Sequence, residues 1–214
     1  MVLGYYKFIL FQTVRQSILK FKLRKKCSIG QKCLISKDLV IGKGCILRNN
    51  VHIGNNVTLG SNVIIGSNSN INNIVINDNS HIESGVVCTG CGNGKIKIGK
   101  ESYIGINNIL DWSDNITIGD FVHIAGPSTG LWTHSSAKQA LAGLLLSNKN
   151  INFRSTTPIV IEHNVYIGGN CTIYPGVKIG HHSVVAPNSA VNKNVEPYTM
   201  VGGVPAKFIK RIEC

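Results

Sequence analysis

No apolar run in the 214-residue chain approaches the 18 or more residues of a membrane-spanning helix. The N-terminal stretch Phe8-Ile-Leu-Phe11 is short and lies between Lys7 and Arg15. It lacks a small-residue cleavage site, so no secretory leader is expected. Acidic residues are scarce, 10 against 22 Lys and Arg, and the net charge is +12. None of the acids falls in the first 26 residues, where Lys7, Arg15, Lys20, Lys22, Arg24, Lys25 and Lys26 place +7 of that charge. Seven cysteines are an odd number, which argues against a complete intrachain disulfide framework. Cys88-Thr-Gly-Cys91 has no second C-x-x-C to complete a zinc site, and no metal is expected. A reducing cytoplasm suits this cysteine usage. No linker divides the chain, and its length suits one domain.

What the chain does have is a phrase of period six. Ile41-Gly42, Ile53-Gly54, Leu59-Gly60 and Ile65-Gly66 show it, as do Ile98-Gly99, Ile118-Gly119, Ile167-Gly168 and Ile179-Gly180. A helix repeats near 3.6 and a half-buried strand at 2, so neither explains it. Hexapeptide repeats mark a parallel β-helix. Counting aliphatics from Ile29 to Ile71, through Ile76–Cys88, Ile98–Leu110 and Ile118–Ile124, then from Ile161 to Val191, gives 22 units. At three units per triangular turn this predicts about seven coils, each rising about 4.8 Å. Four residues after each aliphatic stands a small residue, such as Cys33, Cys45, Val51, Val57, Val63, Ser69, Val165, Cys171, Val177, Ser183 and Ser189. These should point inward beside the aliphatics. A third column, Asn50, Asn56, Asn62, Asn68, Asn164, Asn170, Asn188 and Asn194, should supply the left-handed corners that Asn tolerates.

Residues 1–26 interleave their basic residues with Tyr5, Phe8, Phe11, Val14, Ile18, Leu19 and Phe21. The pattern predicts a basic amphipathic helix over 5–26, either capping the open end of the solenoid or resting on an anionic membrane surface. No nucleic-acid motif accompanies the charge. The solenoid is expected over 27–202, with a tail at 203–214. Its repeat stops after Ile124 and resumes near Ile159, so a loop over about 126–158 leaves the wall. Such a long excursion from a compact repeat is usually functional. It carries Trp132 and one histidine, His134. The remaining histidines read as structural: His52, His81 and His123, with His163, His181 and His182 on exposed corners.

Four further phrases carry a resemblance. They are Pro158-Ile-Val-Ile-Glu-His-Asn-Val-Tyr-Ile-Gly-Gly-Asn170, Ile173-Tyr-Pro-Gly-Val-Lys-Ile-Gly180, Val185-Ala-Pro-Asn-Ser-Ala-Val-Asn-Lys193 and Val201-Gly-Gly-Val-Pro-Ala-Lys207. Over roughly 98–210 the chain resembles the hexapeptide-repeat acyltransferases of the maltose, galactoside and polysaccharide O-acetyltransferase group. The resemblance implies a left-handed, all-β parallel helix and a homotrimer with active sites between subunits. It implies acetyl-CoA as acyl donor, a sugar hydroxyl as acceptor, and His134 as general base. Gly169 matches a position near the thioester, and Ala186 and Lys193 match the CoA-lining stretch. Lys207, Lys210 and Arg211 fall by the CoA contacts of the tail. Asn107, Asp111, Trp132 and Tyr166 fall to the acceptor side. Tyr166 stands where the family usually has Trp, and Glu162 where it usually has Gly. The implied role is sugar O-acetylation in surface-polysaccharide synthesis, in the cytoplasm or at the inner membrane face. Three alternatives remain. N-acylation of an amino sugar is one. A γ-carbonic-anhydrase-like protein is another, although no His-x4-His pair is present. A non-catalytic scaffold would leave the loop unexplained.

Overall fold

The computed structural model describes Leu23 and residues 27–144 and 155–213. The helix expected over residues 5–26 lies outside these residues, apart from Leu23. Leu23 packs partly buried against the core and accepts a hydrogen bond from Cys27 N at 3.0 Å.

The chain winds as a three-sided parallel solenoid. Each parallel strand of the wall has only two to four residues, and every third one stacks on the same face. Three sheets of ten, eight and seven strands result. In the first, Ile29 pairs with Leu47 and Leu47 with Ile65, a stride of 18 residues. Inward side chains therefore stack on their equivalents one turn away, and backbone amides donate along the axis, as Gly30 N does to Leu47 O at 2.8 Å. Ile29, Leu47, Ile65, Ile82, Ile104, Ile124, Ile167, Val185 and Val201 form one such buried stack. Each contributes about 1.5–3 kcal/mol on burial.

The small column points inward as the spacing requires: Cys33, Cys45, Val51, Val63 and Ser183 are all fully buried. Burial in this wall pushes the Cys88 thiol up to about 12. The corner column also holds. Asn50, Asn56, Asn62, Asn68, Asn164, Asn170 and Asn188 have φ between 55° and 62°. Their amides bond vertically, Asn62 Nδ2 to Asn79 Oδ1 at 3.0 Å and Asn170 Nδ2 to Asn188 Oδ1 at 2.8 Å. Asn194 departs from the pattern. It is not left-handed, and its Oδ1 instead accepts from Lys178 N at 2.8 Å. Phe121, His182 and Tyr198 take left-handed corners although they are not Asn. The stacked turns on either side impose the conformation there.

Two expectations need correction. The first sheet holds nine parallel strands, so the solenoid has about nine turns and not seven. Dividing hexapeptides by three missed Leu131, hidden in the apparent break, and Val201 after the last clear phrase. For the same reason the excursion starts later than residue 126. Gly130–Leu131 is a buried strand of the eight-stranded sheet, and the chain leaves the wall only after it. Within the expected tail, Lys207–Arg211 folds back antiparallel on Thr199–Gly202 and closes the last turn.

Ile65→Ala, in the middle of the stack, should lower stability by about 2–5 kcal/mol. Asn62→Ala, which puts a Cβ without a hydrogen-bonding amide at φ 58°, should cost about 1–2 kcal/mol. Denaturant midpoints at constant slope measure both, and an unchanged midpoint for Ile65→Ala would contradict the stacking account.

Candidate active site

The strand Ile109–Asp111 ends where the following turn of the solenoid opens. Leu110 points into the core, and the Asp111 side chain is fully buried just beyond it. One turn later Gly130–Leu131 completes the sheet. The chain then departs through Trp132 and Thr133 into a short hairpin, in which His134–Ser135 pairs antiparallel with Ser155–Thr156.

Asp111 holds this point of departure. Its Oδ2 accepts from Thr133 N at 2.9 Å, from His134 N at 3.1 Å and from His134 Nδ1 at 2.6 Å. Its Oδ1 accepts from Ser113 N at 3.1 Å and from Ser113 Oγ at 2.6 Å. Burial by itself would raise this carboxyl, but the hydrogen bonds from Ser113 and His134 outweigh it and hold it below the ordinary range. Asp111 is therefore a fixed anion beneath the imidazole. The resemblance places it with the acceptor-side residues, yet its oxygens are turned inward and occupied. The hydrogen bond to the carboxylate selects the tautomer with the proton on Nδ1. Nε2 is then the nitrogen that can take a proton, on a side chain 25% exposed. Ser113 Oγ also lies 3.2 Å from Nδ1 and steadies the same edge of the ring. A buried carboxylate orienting a part-exposed histidine is the arrangement of a general base.

Ser113 and Thr133 are the members that sequence reasoning missed. Both bond Asp111, Thr133 across a separation of 22 residues, and only the solenoid brings those positions together. The signal available was the polar residue beside each named one, Asp111-Trp-Ser113 and Thr133-His134.

The other expected site residues are dispersed. Trp132 is half-buried, and its indole lies against Gly130, so it packs the root of the hairpin. Asn107 is an exposed corner residue with φ 57°, stacked over Gly85. Tyr166 is 41% exposed on the ten-stranded sheet beside His123, on a different face from the strand that leads to His134. Gly169 sits where a Cβ would come within 2.4 Å of Gly126 O, so no side chain fits. Ala186 is half-buried, and its N donates to Val201 O at 2.9 Å. Lys193, Lys207 and Arg211 do converge, around a groove of about 370 Å³ floored by Val191, Val195, Val201 and Phe208. Lys210 is exposed on the same strand but does not line that groove. Arg211 is braced by bonds from Nη1 to Pro197 O and Thr199 Oγ1. A groove with three cations and an apolar floor suits a phosphate-bearing ligand with a flat or aliphatic part.

Comparison with known proteins follows the same division of the chain. Residues 158–193 match the bacterial transferase hexapeptide (six repeats) model, and residues 26–60 and 53–89 match the hexapeptide repeat of succinyl-transferase. The chain is 32% identical over 145 residues to the putative lipopolysaccharide biosynthesis O-acetyl transferase WbbJ of Escherichia coli K12. That match covers 55% of this chain and 72% of WbbJ. It is 36% identical over 117 residues to the galactoside O-acetyltransferase of the same organism, covering 55% of this chain and 54% of that enzyme. The chain thus spans about half the length of the galactoside enzyme and under a third of several other curated relatives. In fold it is similar to AntD, an N-acyltransferase from Bacillus cereus solved with dTDP and 3-hydroxybutyryl-CoA. The TM-score is 0.58 at 22% identity, over 87% of this chain and 83% of that one. The hexapeptide models at both ends of the solenoid and the extent of the WbbJ match lead to one conclusion: the chain belongs to the hexapeptide-repeat acyltransferase family.

Proposed function

We propose that this protein is an acetyl-CoA-dependent O-acetyltransferase acting on a sugar hydroxyl, in the service of surface-polysaccharide synthesis. The observation that carries the chemistry is the 2.6 Å contact between His134 Nδ1 and the buried Asp111 carboxylate. With Nδ1 held, Nε2 accepts the proton of the acceptor hydroxyl as that oxygen attacks the thioester carbonyl. The carbon–sulfur bond then breaks and the proton passes to the departing thiolate. The products are an acetyl ester and free CoA. WbbJ and the galactoside enzyme, by name O-acetyltransferases, support the choice of a hydroxyl acceptor.

The family resemblance completes the reading. The solenoid is left-handed and three copies assemble. Each site lies between two of them, so Tyr166 and Gly169, remote from His134 in the sheet order, serve the dyad of a neighbouring subunit. Gly169 N–H then faces the oxyanion. The pantetheine runs past Ala186, and Lys193, Lys207 and Arg211 receive CoA phosphates, with Lys210 adding charge. Among the described residues no helix is long and apolar enough to cross a membrane. Cys27, Cys33, Cys45, Cys88 and Cys171 are buried free thiols, which supports a cytoplasmic setting. Residues 5–26 would allow contact with an anionic membrane surface.

Incubating purified protein with acetyl-CoA and a panel of sugars, with thiol release as readout, tests the reading. Hydroxylamine-labile product marks an ester, and stable product marks the amide of the N-acyl alternative. His134→Ala should lower kcat by about 10²–10⁴-fold with the fold intact, and near-wild-type turnover would remove the assignment. Asp111→Asn should lose a comparable factor, because the amide no longer selects the Nδ1–H tautomer. The same variant carries a stability signature. The native Asp111 pKa lies below its unfolded value, so its stabilisation is complete above about pH 4. It is lost as pH falls through the lower native value. Asp111→Asn should therefore flatten the acid limb of a melting-temperature profile, and an unchanged limb would contradict the low native pKa. Lys207→Glu should raise KM for acetyl-CoA by about tenfold, a 1.4 kcal/mol loss, with kcat nearly unchanged. An unaltered KM would remove the groove from the donor site.

A further inference from the structure

The sequence reading expects no metal, since the chain has no His-x4-His pair and a lone C-x-x-C. The solenoid assembles a histidine group by another route. His163 and His181 are one 18-residue turn apart and stack with ring centroids 5.1 Å apart and planes 3° from parallel. His182 follows His181 on the same corner. One ligand nitrogen from each of His163, His181 and His182 lies within 4.8 Å of the other two. His181 and His182 are half-buried, and His163 is exposed.

We propose that this corner is a binding site for a borderline divalent transition-metal ion, of which Zn²⁺ is the representative. The inference is independent of the acyl-transfer reading. Nδ1 of His181 and Nδ1 of His182 are 3.0 Å apart. Two imidazole nitrogens on one tetrahedral zinc stand roughly 3.3 Å apart, given zinc–nitrogen bonds of about 2.0–2.1 Å. The pair is thus close to a chelating separation before any ion arrives. The exposed His163 ring, stacked parallel to His181, turns out of that stack to supply the third nitrogen, and water completes the shell. Three nitrogens without thiolate or carboxylate suit zinc, nickel or copper and not the oxygen-seeking Ca²⁺ or Mg²⁺.

The surroundings hold the rings in place. Tyr198 stacks on His182 at 4.9 Å and 15°, and meets His181 edge-on at 5.1 Å and 87°. Asn164 Nδ2 is 3.0 Å from His182 Nε2. With its amide turned, Asn164 can accept from that nitrogen when Nδ1 binds metal, as the outer partners of metal-bound histidines do. His182 has φ 56° and Tyr198 φ 54°, so both side chains spring from fixed left-handed corners. Glu162, the nearby carboxylate, is already engaged. It pairs with Lys178 Nζ at 2.7 Å and accepts from His181 N at 2.9 Å, which buttresses the backbone of the cluster. An ion here would clip the turn at 163 to the turn at 181. That second turn bonds onward to the Pro197–Thr199 corner through Tyr198 N and His181 O at 3.0 Å.

Titration calorimetry of the metal-stripped full chain with Zn²⁺ tests the proposal. One saturable ion per chain is expected, with a raised melting temperature and no such response to Ca²⁺ or Mg²⁺. His182→Asn, which retains a residue suited to the left-handed corner, and His163→Asn, at an exposed position, should each abolish saturable binding while circular dichroism stays unchanged. Asn164→Gly should weaken binding by about 10–100-fold. Cys91→Ser and His134→Ala should bind as wild type does. The Co²⁺ complex should show no thiolate-to-metal charge-transfer band. Absence of saturable Zn²⁺ binding, binding that survives both histidine variants, or binding lost in Cys91→Ser would each overturn the site.

Discussion

Each strand of this wall is too short to persist alone, so the structure depends on the stacking of an inward aliphatic on its equivalent one turn above and below. Ile29, Leu47 and Ile65 are spaced by a constant stride, and the amides beside them donate along the same axis. Neither interaction exists within a single turn. The small inward column, from Cys33 to Ser189, follows from the same packing, because the prism narrows at its corners. Side chains that find no room inside are turned outward. There they form the second set of stacks, the amide ladders of Asn62 and Asn170 and the rings of His163, His181 and His182.

The candidate active site lies where this stacking is interrupted. A turn that leaves the wall must satisfy the backbone amides it no longer pairs, and a buried carboxylate does so efficiently. Asp111 accepts from the amides of Thr133 and His134, and in doing so fixes the imidazole of His134 beside it. The groups that anchor the hairpin are thus the groups that orient the imidazole. Fold stability and ring orientation depend on one carboxylate. This economy is why Ser113 and Thr133, without reactive chemistry of their own, belong to the site.

The far end of the solenoid is finished differently. The strand Lys207–Arg211 folds back on Thr199–Gly202 and covers an edge that would otherwise present unpaired amides. Its Lys207 and Arg211 come to face Lys193 across an apolar floor. The last parallel turn, which this strand covers, sets Tyr198 against His181 and His182. A capping strand, a cationic groove and a histidine corner thus share a few residues around Pro197.

The sequence by itself determined the period, and with it the wall. A six-residue aliphatic repeat with a small residue at a fixed offset admits few packings, so Ile65, Cys33 and Asn62 could be placed inward, inward and at a corner before any coordinates. His134 was legible because it stands where the repeat fails. Only the tertiary structure decided the rest. Leu131 belongs to the wall although no hexapeptide phrase surrounds it, since burial against Leu110 and Ile173 recruits it. Asp111 is the inner partner of His134 and not a surface group, because a contact across 23 residues depends on which turn stacks on which. Local spacing carries no record of such contacts once turns vary in length. His163 and His181 are the opposite case. Their separation equals the stride of the solenoid, so their meeting was written in the sequence, but only the fold shows His182 turned toward them.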